Sequence, residues 1–362
     1  MNKIIYLDAA ATYQKPRVVI DAQTDFLQNN YANAGRGICE RAVGVDNMVE
    51  RTRAQVAEFI GAQTNQVVFT SGTTAGMNMI AKMLGVNENS TVAVSDLDHH
   101  SARLPFAESG ANIVVCDLDA SMNIDVEKIP YADVCVITAM SNVIGVPQNV
   151  AEIIKRAKQK NPNVITVVDA AQFVVHNKID VVKWDCDFMC FSAHKIGADT
   201  GLGVMYVKNP DSYGPVFFGG GMVNKVIGDN VILNTAPYVF EAGTLPLTQI
   251  AGLGVAIKNI EKNRPDVGLI KHMYDQLADI KKIKFISPRD ASLLSFVVDK
   301  MHVLDFGAMI GARGVCLRVG NMCASWIMRK MKIDGCVRIS VGAYNTIDEI
   351  NQTIKYIKEV IK

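Results

Sequence analysis

The chain has 362 residues, of which 49% are hydrophobic and 20% charged, and its formal net charge is +1. That length and composition suffice for a sizeable core and two domains and exclude a disordered chain; the near-neutral balance, without a long block of like charge, offers no field for nucleic acid or a membrane surface. The eight cysteines lack paired CxxC spacing and no apolar stretch is long enough to span a bilayer, so the expectation is a reduced, cytoplasmic protein whose partner is a small molecule or another protein.

In chain order, short apolar runs alternate with helical spacing. VVFT (67–70) reads as a strand, AGMNMIAKML (75–84) as a helix, TVAVS (91–95) as a strand and residues 100–108 as a helix. NIVVC (112–116) and DVCVIT (133–138) read as strands, VAEIIKRAKQK (150–160) as a helix, and VITVVD (164–169), CDFMCFS (186–192) and GVMYV (203–207) as strands. Strands rich in Val and Ile on both faces, separated by helices, predict a mostly parallel sheet covered on both sides, with ligands at the carboxyl ends of its strands. After GTLP (243–246) helical patterns dominate and a smaller α+β set follows. This predicts a large domain over residues 1–249 and a smaller one over 250–362. WDCDFMCF reads as a buried strand, so Cys186 and Cys190 are expected to pack rather than to bind a metal.

The candidate chemistry falls at strand ends. In VFTSGTTAGMN, Ser71, Gly72, Thr73 and Thr74 open a helix, where free N–H groups and the dipole favour an anion; a plain N-cap is the commoner role of such residues. SDLDHHSARLPF places His99 and His100 side by side after a strand, and ITAMSNVIGVPQ and VVDAAQ place Asn142, Asp169 and Gln172 after others. An acid ending a wholly apolar strand needs a positive partner, either an Arg or Lys or the ring nitrogen of a pyridoxal cofactor. In FSAHKIGADTGLGVMY, Lys195 is the candidate Schiff-base amine, with Ser192 and His194 turned toward a phosphate.

These segments, together with YLDAAATYQKP, YANAGRGI, FEAGT, RVGNMCA and VRISVGAYNT, resemble in their order the class V aminotransferase family, and within it the second group of cysteine desulfurases and selenocysteine lyases. The resemblance covers nearly the whole chain and implies an α/β protein of the pyridoxal-phosphate (PLP) fold type I: a large, mostly parallel seven-stranded sheet domain with a smaller C-terminal α+β domain carrying the cysteine loop. It implies Lys195 as the lysine bonded to pyridoxal 5'-phosphate, Asp169 at the pyridine nitrogen, Gln172 at the phenolic oxygen and His99 on the ring face. Thr73, Thr74, Ser192 and His194 match phosphate ligands, and Thr244 matches a residue that reaches the phosphate of the other subunit in a homodimer with shared active sites. Asn142 would lie between cofactor and substrate, Arg338 would clamp the substrate carboxylate, and Arg318 and Arg36 are further substrate contacts or, equally, ion-pair residues. Cys323, in the RxGxxCA position, matches the nucleophile that takes sulfur from L-cysteine as a persulfide.

The implied function is conversion of L-cysteine to L-alanine with delivery of sulfur to an acceptor protein for iron–sulfur cluster or thio-cofactor synthesis. The alternatives are a selenocysteine lyase acting on L-selenocysteine, another PLP-dependent carbon–sulfur lyase, and a non-catalytic scaffold that kept the fold. Gly35, Cys39, Ala198-Asp199 and Leu245-Pro246 depart from the group's usual residues. They flank the site and leave Lys195, Asp169, Arg338 and Cys323 in place.

Overall fold

In a computed structural model, which describes residues 4–35 and 37–362, seven strands form the central sheet in the order Val67–Thr70, Gly203–Val207, Phe188–Ser192, Ile165–Asp169, Val134–Thr138, Thr91–Ser95, Asn112–Cys116. Gly203–Val207 runs antiparallel to both of its neighbours and the other contacts are parallel. The fold class expected from the alternating pattern is the one observed. Strands such as Val134–Thr138 and Phe188–Ser192 are buried along their whole length, which explains why they read as continuous apolar runs. Each fully buried Val, Ile or Phe contributes about 1.5–3 kcal/mol. Cys186 and Cys190 are wholly buried, in keeping with a packing role.

Two close approaches depend on glycine. A Cβ on Gly203 would meet the backbone of Gly72 at 2.5 Å, so the antiparallel strand can lie under the Ser71–Thr74 turn only without a side chain. Gly197, at φ +88 and two residues after Lys195, turns the chain where a Cβ would meet Pro16 at 2.9 Å.

A second, four-stranded sheet, Ile283–Phe285, Leu294–Val298, Cys336–Ile339 and Arg318–Gly320, is antiparallel throughout. The expected boundary at 249/250 falls inside helical structure. One helix runs through that point, Leu247–Lys262, and its Leu247, Ile250, Leu253, Ala256, Ile257 and Ile260 sit in the core of the large sheet. At the other end, Ile5 and Leu7 belong to the core of the small sheet, and Ile5–Tyr6 pairs in parallel with Val315–Cys316. Composition marks where helical patterns begin to dominate; it carries no signal for the core against which a helix packs. Among the described residues no helix is long and apolar enough to cross a membrane.

Candidate active site

The parallel strands end on one edge of the large sheet, and there a cavity of about 340 Å³ opens between the two sheets. Its lining includes Thr73, Thr74, His99, Asn142, Asp169, Gln172, Ser192, His194, Lys195, Arg318, Cys323 and Arg338. Thr244 lies elsewhere, in a separate hollow with Asn33, Gly35 and Arg53. Arg36 falls outside the described residues.

On the large-sheet side, the N–H of Thr73 donates to Ser192 Oγ at 2.9 Å, and the two hydroxyls are 2.8 Å apart. The start of the helix Thr73–Met83 is thus tied to the end of strand Phe188–Ser192. Asp169 is 4% exposed and accepts the N–H of Ala171 at 2.9 Å, yet forms no ion pair among the described residues. Burial pushes its carboxyl up to about 6, against the opposing effects of that hydrogen bond and of Lys195. Lys195 Nζ donates to Ala10 O at 2.6 Å and Ala11 O at 2.9 Å. Burial first, and the Arg338 guanidinium second, bring its ammonium down to about 8, while Asp169 and Asp8 partly restore it. His99 accepts the Ser101 N–H on Nδ1 at 3.1 Å, and burial, then Lys195, lower it to about 4, so the ring is neutral at pH 7.

On the small-sheet side, Arg318 and Arg338 occupy directly facing positions of neighbouring strands. Like charges so placed repel. The carboxylate of Asp8 offsets this: it accepts from Arg338 Nη2 at 3.0 Å and from Arg318 Nη2 at 2.7 Å and Nε at 3.0 Å. Arg338 also donates to Asn142 O at 3.0 Å. Asp8 is the residue that sequence reasoning missed; YLDAAAT contains it, but only the parallel bridge between Asp8 and Ser340 brings it beside the arginines.

Cys323 follows Met322, and both are left-handed, at φ 52 and 56. For residues with a Cβ this costs roughly 1–2 kcal/mol each, and such strain persists only where the surroundings over-determine it. Asn142 Nδ2 donates to Met322 O at 2.8 Å, and Asn321 Oδ1 accepts the Cys323 N–H at 3.1 Å. The thiol is therefore held on an exposed turn at the cavity mouth.

Whether the residues suit pyridoxal phosphate can be judged from the polar atoms they leave over. Arg338 Nε, Asn142 Oδ1 and Gln172 Oε1 are buried without a hydrogen-bond partner among the described residues, and all three side chains line the cavity. The Asp169 carboxylate, in no ion pair among the described residues, would accept from a protonated ring nitrogen and the Thr73 helix terminus would face a phosphate, as pyridoxal phosphate requires, while the spare donor Arg338 Nε suits the carboxylate of a second ligand. Gln172 Nε2 already donates to Ala10 O at 2.7 Å, so its approach to a ring oxygen shares the amide with the backbone.

The departures near the site have local accounts. Asp199 accepts from the buried Gln23 at 2.7 Å and pairs with Lys15 at 3.1 Å, tying the turn after Lys195 to the helix Arg17–Asp25. Gly35, at φ +78, donates its N–H to Asp46 at 2.6 Å, and Cys39 stands at the N-cap position of the helix Glu40–Ile60, its thiol exposed and making no cap bond. Leu245 packs against the main core and Pro246 precedes the helix Leu247–Lys262.

The family model described as Aminotransferase class-V matches residues 5–353. A cysteine desulfurase from Enterobacter sp. (strain 638) is 33% identical over 99% of this chain and 93% of its own length. The apo structure of the cysteine desulfurase from Thermococcus onnurineus NA1 superposes with a TM-score of 0.94 at 30% identity, covering 99% of this chain and 95% of that one. The S-sulfonic acid form of the cysteine desulfurase CsdA from Escherichia coli gives 0.90 at 29% identity, covering 99% and 94%.

Proposed function

Because the chain belongs to the class-V aminotransferase family, whose members use pyridoxal phosphate, we propose that it is a PLP-dependent cysteine desulfurase that converts L-cysteine to L-alanine and takes the sulfur onto Cys323. The observation that carries this reading is the convergence of Lys195, Asp169, Arg338 and Cys323 on one cavity. Full-length similarity to proteins named cysteine desulfurase supports it.

Thr73, Thr74, Ser192 and His194 would hold the cofactor phosphate, Asp169 the ring nitrogen, Gln172 and Asn142 the ring oxygen, and His99 the ring face, with Lys195 at the aldehyde carbon. When bound, the cofactor supplies an electron sink that weakens bonds at the substrate's reacting carbons. Arg338, with Nε free for an acceptor, binds the substrate carboxylate; Asp8 and Asn142 O hold its other nitrogens, so the guanidinium is oriented before substrate arrives. Lys195 Nζ, brought down to about 8, exchanges the α-proton in the neutral form. Cys323 Sγ forms a bond to the substrate sulfur as that sulfur's bond to carbon breaks. The electron pair stays with carbon and is protonated to the methyl group of alanine. L-cysteine and the Cys323 thiol thus become alanine and a Cys323 persulfide, with no outside oxidant.

The reading extends to a homodimer in which Thr244 serves the partner's cofactor phosphate, to a sulfur-acceptor protein or reductant that clears Cys323, and to a cytoplasmic setting. Cofactor-loaded protein given L-cysteine without reductant should yield alanine and gain one sulfur atom on Cys323, read by peptide mass. Alanine without sulfur on Cys323 would remove the nucleophile assignment, and no alanine would remove the desulfurase. A marked preference for L-selenocysteine in the same preparation would make it a selenocysteine lyase.

A further inference from the structure

The second histidine of the Asp-His-His segment has no part in the chemistry above. His99 turns to the cavity, whereas His100 does not line it. His100 instead meets the cysteine loop that follows the strand Arg318–Gly320. Its backbone N–H donates to Cys323 O at 2.8 Å. Its ring Nε2 accepts the Ser325 N–H at 3.2 Å and lies 3.0 Å from Ser325 Oγ. The ring edge packs on Trp326 with centroids 5.2 Å apart at 82°, and Arg103, one turn further along the helix His100–Ala107, lies over the other aromatic system at 4.5 Å from the Trp326 ring. His100 thus touches the residues that follow the two left-handed positions, while Asn142 touches the residue before Cys323.

We propose that His100 is a positioning residue for Cys323. Its backbone and ring together hold the loop from the large-sheet side in the left-handed conformation that puts the thiol at the cavity mouth. Two consecutive left-handed residues relax unless both flanks are fixed, and His100 fixes the flank that Asn142 does not reach. A neutral imidazole suits this place because its ring nitrogen accepts a backbone N–H that would otherwise point to solvent at the start of the helix Ser325–Met331. The consequence is a division of labour between adjacent residues: His99 serves the cofactor side and His100 the sulfur-transfer side.

The kinetic part of this inference rests on the desulfurase reading, and the test separates the two. The holoenzyme is compared with His100→Leu, which loses the acceptor, His100→Gln, whose amide oxygen can accept in its place, Ser325→Ala, and the double variant His100→Leu/Ser325→Ala. His100→Leu should keep its cofactor absorbance and its KM for L-cysteine within about two-fold while kcat falls about ten-fold, and His100→Gln should recover to within about three-fold of the parent. Ser325→Ala should cost kcat about two- to three-fold, and the double variant no more than His100→Leu alone, because both act through one contact. Amide exchange at Ser325 should quicken about ten-fold in His100→Leu and not in His100→Gln. A parental kcat in His100→Leu, a loss confined to KM, or losses that multiply in the double variant would overturn the proposal. Should His100→Leu fail to fold, an unchanged kcat in Ser325→Ala overturns it equally. If the parent makes no alanine, the desulfurase reading falls, and the exchange measurements still decide the role of His100.

Discussion

The floor and the mouth of the cavity are built on opposite principles. On the floor, Ser192 ends a strand buried along its whole length and Asp169 one buried at all but its first residue, and their neighbours are fixed by sheet hydrogen bonds. Precision there comes from the core, and the electrostatic effects are large because water is excluded: Asp169 is pushed up to about 6 and Lys195 down to about 8. At the mouth, Cys323 is exposed and sits on strained backbone held by a few named contacts from His100, Asn142 and Asn321. Proton chemistry on a bound cofactor needs a dry, rigid site. A thiol that is to react with a second molecule needs an accessible place, and Cys323 is exposed where Asp169 is buried.

Floor and mouth separate most sharply at Lys195. Lys195→Ala should cut alanine formation by about 10³- to 10⁴-fold while iodoacetamide still labels Cys323 at the parental rate, measured by peptide mapping; altered labelling would mean that floor and mouth are not separate. The converse variant, Cys323→Ser, should lose about 10²-fold or more in turnover of L-cysteine with cofactor absorbance intact. Arg338→Lys gives up the planar fork and should raise KM for L-cysteine roughly 10- to 100-fold with a smaller change in kcat.

A subtler effect concerns pH. The Lys195 amine is charged below about 8 and neutral above it, and the neutral form attacks an aldehyde. Uptake of pyridoxal phosphate by apo-protein, followed by absorbance, should therefore climb with pH and level off above about 8. Asp8 raises that value and Arg338 lowers it, so the inflection should move down in Asp8→Asn and up in Arg338→Gln; the opposite movements would refute the electrostatic account. Smallest of all, Asp199→Ala loses one partly buried hydrogen bond and an ion pair about one third exposed, about 1 kcal/mol. It should lower Tm by about 1–3 °C and leave kcat unchanged.

Most of the floor was legible in the sequence. Val- and Ile-rich runs followed by single polar residues located the strand ends, and Asp169 and Lys195 stood out because a buried charge demands a partner. His99 and Asn142 followed from the same logic. The mouth was legible only as a motif: RVGNMCA named Cys323, but nothing in those letters announced that Met322 and Cys323 are both left-handed or that His100 reaches them from a different sheet edge. Asp8 was invisible for the same reason, since its partners Arg318 and Arg338 lie more than 300 positions away. The Ala198-Asp199 departure had no account until Gln23 and Lys15 proved to be its partners.

By itself the sequence determined the sheet, its carboxyl edge and the chemical types gathered there, because hydrophobic periodicity and the cost of burying charge are local properties of the chain. Tertiary structure alone decided that the helix Leu247–Lys262 packs into the core of the large sheet and that Ile5 and Leu7 pack into that of the small one. It also decided that one carboxylate serves two facing arginines and that two adjacent histidines look in different directions. Those are long-range pairings, fixed by which surfaces pack together, and no window of neighbouring residues encodes them.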